Sequence, residues 1–357
     1  MGNSDNNNPN SNNETIIVPD NNYYLFKSCT AGSFYPGIEL STRYILDILE
    51  VDYTNDSEHS SCTGHAVHLG AIPLETNMAL NARNLSLASE SGNKNITTIC
   101  PTSYFNLKHN QKLISKDKKL EKKIKKIMDE IGRKYDYSLD IFHISDILME
   151  HIDSLLEITS EKHDFQYSDL NIKAVTHHGC HYAKFFYKEI TKGTYEKPEI
   201  LDEILKKFKI DILEYSENFL CCGNGLHGMV AGDEYSKETL IRKIGSIHEV
   251  KPDVIITHCP GCTFTLDYYQ DARIQDDLTN EFDENSIYSE NKGLKDLNDL
   301  NRISDDKIPV LYISELLAII MGANPEEIGL EMHMVSLEPF LKKLKSQKSK
   351  IRGVKGV

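Results

Sequence analysis

A chain of 357 residues with 39% hydrophobic and 26% charged residues has room for two ordinary domains and the balance of a soluble globular protein. Its formal net charge of -14 argues against a general phosphate-binding surface, and so against nucleic acid as a ligand. No run approaches the roughly 20 apolar residues that cross a bilayer, and the N-terminus lacks the basic and apolar regions of a signal peptide, so a cytoplasmic protein without a membrane span is expected.

Residues 1–22 open polar and Asn-rich, and a disordered tail is expected there. The run "YYLFKSC" predicts a strand ending at Cys29, followed by a helix over "GIELSTRYILDIL" with Ile38, Tyr44, Ile45, Ile48 and Leu49 on one face. "SSCTG" carries Cys62. A helix over "MALNARNLSLASE" precedes a strand, "NITTIC", that ends at Cys100. Residues 112–134 form a basic amphipathic pattern with Leu120, Ile124, Ile127 and Ile131 on its apolar face. It reads as a solvated helix, with docking of an acidic partner as the alternative.

"FHISDIL" begins at Phe142, and "NIKAVTHHGC" then predicts a strand ending at Cys180. "FLCCGNG" places Cys221 and Cys222 side by side, a helix follows over "SKETLIRKIGSIHEV", and "DVIITHC" is a strand ending at Cys259. "CPGCTFTLDYY" turns through Pro260 and Gly261 to Cys262 and a helix. Residues 271–307 hold eleven acids against five bases and predict an acidic insertion. "LYISELL" from Leu311 and a basic tail at 346–357 complete the chain.

The chain repeats its signals in order. Cys29, Cys62, Cys100 and "HISD" correspond to Cys180, Cys222, Cys259 and "YISE", each pair about 150 to 170 residues apart. Two duplicated domains are expected, at 23–165 and 166–345. Strands alternating with helices make each a small parallel α/β sheet flanked by helices, with the cysteines at the strand carboxyl ends, where such sheets bind ligands. The following helix N-termini suit anionic thiolates.

Eight cysteines in such a chain read as metal or redox ligands rather than a disulfide framework. Adjacent Cα atoms lie about 3.8 Å apart, short of the usual disulfide span, so Cys221 and Cys222 do not pair with each other without strain. Two readings stay open for them at this point: buried hydrophobes or ligands. The five second-half cysteines, Cys180, Cys221, Cys222, Cys259 and Cys262, exceed the four ligands of a structural zinc site and favour iron-sulfur chemistry. Structural zinc remains the competing reading.

Cys180, then Cys221-Cys222-Gly223, then Cys259-Pro-Gly-Cys262 resembles the cysteine-rich CCG domain. With "FYPGIELSTRYIL", "ARNLSLA" and "LYISELLAIIMGANPEEIGLEMHMVSLEP", the chain from about residue 23 to 345 resembles the B subunit of methanogen-type heterodisulfide reductase. The resemblance implies a noncubane [4Fe-4S] cluster held in the second domain by Cys180, Cys221, Cys222, Cys259 and Cys262. It further implies reduction of the coenzyme M-coenzyme B mixed disulfide in methanogenesis, one electron coming from each of two clusters. The implied partners are the flavin- and iron-sulfur-containing A subunit and the ferredoxin-like C subunit of heterodisulfide reductase, and a hydrogenase or formate dehydrogenase.

The first half departs from that pattern: Ser61 stands where the first cysteine of the pair belongs, and Ser103 where the second of Cys-x-x-Cys belongs. A serine hydroxyl loses its proton far less readily than a thiol. Three readings compete for Cys29, Cys62 and Cys100: an altered iron-sulfur cluster, an empty site, or a serine-ligated noncubane cluster. His65 and His68 read as polar loop or helix-start residues, with a replacement imidazole ligand as the alternative. His177, His178, His181, His227 and His258 are expected to hydrogen-bond sulfur or to be exposed rather than to ligate. Function is expected to be catalytic, as the disulfide-reducing subunit. The alternatives are a non-catalytic electron-transfer or anchoring subunit, or a reductase of another disulfide.

Overall fold

A computed structural model describes residues 17–56, 58, 67, 71–134, 136, 138–162, 171–183, 192–194, 197–224, 234–270 and 307–354. The first half runs β1 (Tyr23–Phe26), α1 (Cys29–Phe34), α2 (Pro36–Ile48), β2 (Tyr53–Thr54), α3 (Leu74–Glu90), β3 (Asn95–Thr98), α4 (Pro101–Lys116), α5 (Lys118–Glu130), β4 (Asp140–His143), α6 (Ile144–Glu150) and α7 (Ile152–Lys162). The second runs β5 (Lys173–His177), α8 (Cys180–Ala183), α9 (Ile200–Lys207), β6 (Asp211–Ile212), α10 (Glu234–Val250), β7 (Val254–Thr257), α11 (Pro260–Tyr268), β8 (Val310–Tyr312), α12 (Ile313–Ile320), a 3-10 turn (Leu330–Met332) and α13 (Glu338–Val354). The expected acidic insertion lies outside the described residues up to Lys307, and α13 continues through most of the expected basic tail. Val18, inside the expected N-terminal tail, is buried in the core.

Each half is a four-stranded parallel sheet, ordered β2-β1-β3-β4 and β6-β5-β7-β8, so the two halves share one topology. Chain direction across the sheet reverses between β1 and β3, and again between β5 and β7. Connections from these neighbouring strands leave to opposite sides and open a crevice at their carboxyl ends. Cys29 and Cys100 follow β1 and β3, and Cys180 and Cys259 follow β5 and β7.

Alternation along the strands explains the layers. Tyr23 and Leu25 of β1 face one core, Tyr24 and Phe26 another. Val254 and Ile256 of β7 likewise join the core shared with the first half, while Ile255 faces the cysteine side. That shared core unites Ile38, Ile45 and Leu46 of α2 with Leu316 and Leu317 of α12, and Ile147 and Leu148 of α6 with Leu201, Ile204 and Leu205 of α9. The packing is reciprocal: the helices after the first and last strands of each half lie against the corresponding last and first helices of the other.

The repeated Ile-Ser-acidic landmark acquires a reason here. Asp146 accepts the His143 N–H at 2.9 Å and Glu315 accepts that of Tyr312 at 2.8 Å, closing the first turns of α6 and α12 as capping boxes. The serines reach across the seam: Ser314 Oγ lies 2.8 Å from Ser41 Oγ, and Ser145 Oγ lies 3.1 Å from His258 Nδ1. Helix α5 buries Ile124 and Met128 against Met78, Ala82 and Ile114, leaving its lysines outward, as a solvated helix does; Ile131 is exposed.

Candidate metal centre

Five second-half cysteines meet at the crevice. Cys180 opens α8 and Cys259 immediately precedes α11, while the loop after β6 delivers Cys221 and Cys222 and the first turn of α11 delivers Cys262. Cys222 Sγ and Cys262 Sγ lie 3.2 Å apart. Hydrogen bonds link Cys180 to Cys221, Cys221 to Cys222, and Cys262 to Cys259, so the sulfurs form one connected set.

Glycines make the approach possible. Gly223 has φ +89°, and a Cβ there would lie 2.7 Å from the Ser236 carbonyl oxygen of α10, so both the backbone conformation and the close approach exclude a side chain. Its N–H donates to Cys221 Sγ at 3.4 Å. Asn224 Nδ2 donates to the Gly261 carbonyl at 2.7 Å, tying the two cysteine loops together.

The thiols share protons unequally. Hydrogen bonds from Cys180 and Cys222 draw Cys221 far below an ordinary thiol, with Gly223 N–H assisting. Cys259 is lowered by hydrogen bonds from Cys100 and Cys262. Cys180 and Cys222 are raised by their bonds to Cys221, and Cys262 by its bonds to Cys222 and Cys259, each reinforced by burial.

His177 completes the cluster. One of its ring nitrogens and the sulfurs of Cys222 and Cys262 all lie within 4.8 Å of one another. The imidazole is buried, burial holds it neutral by lowering its pKa, and both ring nitrogens lack hydrogen-bond partners among the described residues. Unpartnered buried donors or acceptors are uncommon, and this one faces sulfur. Soft thiolates in this number, beside a neutral imidazole, fit an iron-sulfur group.

The sequence expectation for the other histidines changes. His178 and His258 are buried and bond each other's neighbourhood rather than sulfur: Leu201 N–H donates to His178 Nε2 at 3.2 Å, and His258 Nε2 bonds the His178 carbonyl. His181 Nδ1 lies 3.0 Å from Thr102 Oγ1 of the first half. Strand alternation could have singled out His177, which shares a face with Val175 on the cysteine side of β5. Cys62, Ser61, His65, His68 and His227 lie outside the described residues.

In the first half Cys29 is exposed on α1, and Ser103 is buried one turn into α4, the place matched by Cys262 in α11. Cys100 turns toward the other half, hydrogen-bonding Cys259, and Tyr312 Oη donates to the preceding Ile99 carbonyl at 3.0 Å. The cysteine sets of the two halves are therefore in contact through Cys100 and Cys259.

The chain matches the family model of the cysteine-rich CCG domain twice, over residues 23–108 and 174–267. It is 30% identical over 338 residues to the B subunit of the ferredoxin:CoB-CoM heterodisulfide reductase of Methanosarcina acetivorans, covering 91% of this chain and 97% of that protein. It is also 22% identical to the membrane anchor subunit of 8-methylmenaquinol:fumarate reductase from Wolinella succinogenes, over 85% of this chain and 96% of that one. A crystal structure of a hypothetical protein from Helicobacter pylori shares the fold, with a TM-score of 0.59 and 13% identity; the match covers 90% of this chain and 53% of that one. Among the described residues no helix is long and apolar enough to cross a membrane. With paired cysteine-rich domains and a relative matched over almost its full length, the chain belongs to the family of heterodisulfide reductase B subunits.

Proposed function

We propose that this chain is the iron-sulfur subunit of a heterodisulfide reductase-type complex, and that its substrate is a mixed disulfide of the coenzyme M-coenzyme B class. The carrying observation is the convergence of Cys180, Cys221, Cys222, Cys259 and Cys262 on one crevice beside His177, whose ring nitrogens have no hydrogen-bond partner among the described residues. Those five cysteines would hold a noncubane [4Fe-4S] cluster, which when bound supplies one-electron transfer next to a site where sulfur can be captured. The chain's own contribution is positional: Gly223 and Asn224 fix the thiol loops, and the burial of Cys222, Cys259 and Cys262 keeps water from their sulfurs. Reducing a disulfide to two thiols takes two electrons and two protons, so electrons must arrive from partner subunits, for which flavin-containing and ferredoxin-like subunits are the proposed class.

A second reading, electron transfer or anchoring without catalysis, is supported by buried Ser103 at the place matched by Cys262, which leaves the first half short of a full ligand set. It also has a precedent in name, the anchor subunit from Wolinella succinogenes. Iron and acid-labile sulfide per chain, measured anaerobically, test the common ground of both readings; zinc without sulfide overturns both. Turnover of the mixed disulfide by the chain with its partner subunits, before and after Ser61→Cys with Ser103→Cys, then separates them. No turnover in either form, with the second-half cluster intact, rejects the disulfide substrate.

A further inference from the structure

Lys243, on α10, is fully buried. Its Nζ meets three atoms: the Glu217 carbonyl at 2.7 Å, the Asn218 carbonyl at 3.1 Å and Tyr215 Oη at 3.3 Å. All three accept. The carbonyls can do nothing else, and the single Tyr215 hydroxyl proton is already given to the Thr176 carbonyl at 3.1 Å. Three acceptors require three N–H donors, which a neutral amine, with two, does not possess. The arrangement suits an ammonium ion, whose three N–H groups serve all three acceptors at once.

A buried ammonium needs a counter-charge. Among the described residues no carboxylate pairs with Lys243, and the nearest acid in the loop, Glu217, gives its Oε1 to Arg242 at 2.6 Å. Burial lowers the lysine to about 8, opposed by Cys222, Cys262 and Cys221 ahead of Glu217; deprotonated as cluster ligands, those three sulfurs would carry the missing negative charge. The two carbonyls that Lys243 grips belong to the loop leading into Cys221 and Cys222, so the same residue holds that loop in place.

We propose that Lys243 is a positioning residue and the internal counter-ion of the thiolate centre, raising the reduction potential of the cluster bound there and securing the Cys221-Cys222 loop. This rests on the iron-sulfur reading above. A fixed positive charge beside a metal centre favours its more negative, reduced state, and in a buried site that influence is poorly screened.

The test uses the full chain loaded with iron and sulfide anaerobically. Iron and sulfide in the unmodified protein come first: their absence counts against the iron-sulfur reading and not against the role of Lys243 within it. Redox titration monitored by electron paramagnetic resonance then compares Lys243→Arg, which keeps the charge, with Lys243→Gln, which keeps polar contacts without it. The expected result is a potential close to that of the unmodified protein for Arg, and for Gln a lower potential, with the equilibrium constant for reduction down by about tenfold or more. Equal potentials for Gln and the unmodified protein at full cluster content overturn the proposal. Should the Gln variant not fold, Thr239→Asp sets a carboxylate one helical turn from Lys243 and must shift the potential in the same direction; an unchanged potential there is equally fatal.

Discussion

Tyr35 Oη donates to Asp267 Oδ2 at 2.7 Å, joining the end of α1 in the first half to α11 in the second, just over one turn past Cys262. Asp267 is fully buried and also accepts the backbone N–H groups of Met334 at 2.7 Å and Val335 at 3.1 Å. Tyr35→Phe removes one donor from a charged acceptor while preserving the ring, so a loss of about 1.5 to 3 kcal/mol is expected. Urea unfolding measures it, and a loss below about 0.5 kcal/mol would show that the bond contributes little.

His333 lies between two buried carboxylates, with Nε2 3.2 Å from Glu315 Oε1 and Nδ1 3.6 Å from Asp267 Oδ2. Burial alone would lower its pKa, but Glu315 and Asp267 outweigh burial and push it up to about 10. In the unfolded chain histidine titrates near 6.5. The ion pairs thus stabilise the fold fully below about pH 6.5, and this contribution is lost as pH rises toward about 10. Unfolding free energy measured across that interval should fall with pH more steeply in the unmodified protein than in His333→Gln. Parallel curves would sink the assignment.

Two glycines offer a matched pair. Gly223→Ala must accept φ +89° and a Cβ 2.7 Å from the Ser236 carbonyl oxygen, whereas Gly245, inside α10, has nothing within 4 Å of an added Cβ. Gly245→Ala should stabilise by up to about 1 kcal/mol through helix propensity. Gly223→Ala should lose most of its bound iron, because the loop carrying Cys221 and Cys222 must move from α10. Iron content and thermal unfolding of the two variants side by side decide it; equal iron retention would mean that the close approach is not needed to form the site.

The fold was legible because strand runs ending at Cys29, Cys100, Cys180 and Cys259 recur in order, and period-2 and period-3.6 patterns separate strands from helices within each half. The five-cysteine convergence was legible for the same reason: parallel strands bring their carboxyl ends to one edge. Other features depend on contacts between distant segments. Cys100 reaching Cys259, and Ser145 and Ser314 crossing the seam, depend on how the halves pack, and no spacing within one half encodes that. Lys243 reads in sequence as one of several polar residues on an amphipathic helix, and only the carbonyls of Glu217 and Asn218 reveal it as internal. The histidines were harder to read because residues beside ligands in sequence point to opposite faces, so His177 faces sulfur while His178 receives the Leu201 N–H and His258 reaches Ser145 of the first half.

The reciprocal packing of α2 with α12 and of α6 with α9 makes the two halves mutual templates. Neither has an inner face that is complete alone, since each supplies the apolar wall on which the other closes. Ser103, in the first turn of α4, stands outside that wall and leaves it untouched. The redox chemistry of one repeat can therefore diverge freely, while its fold remains bound to the service of its twin.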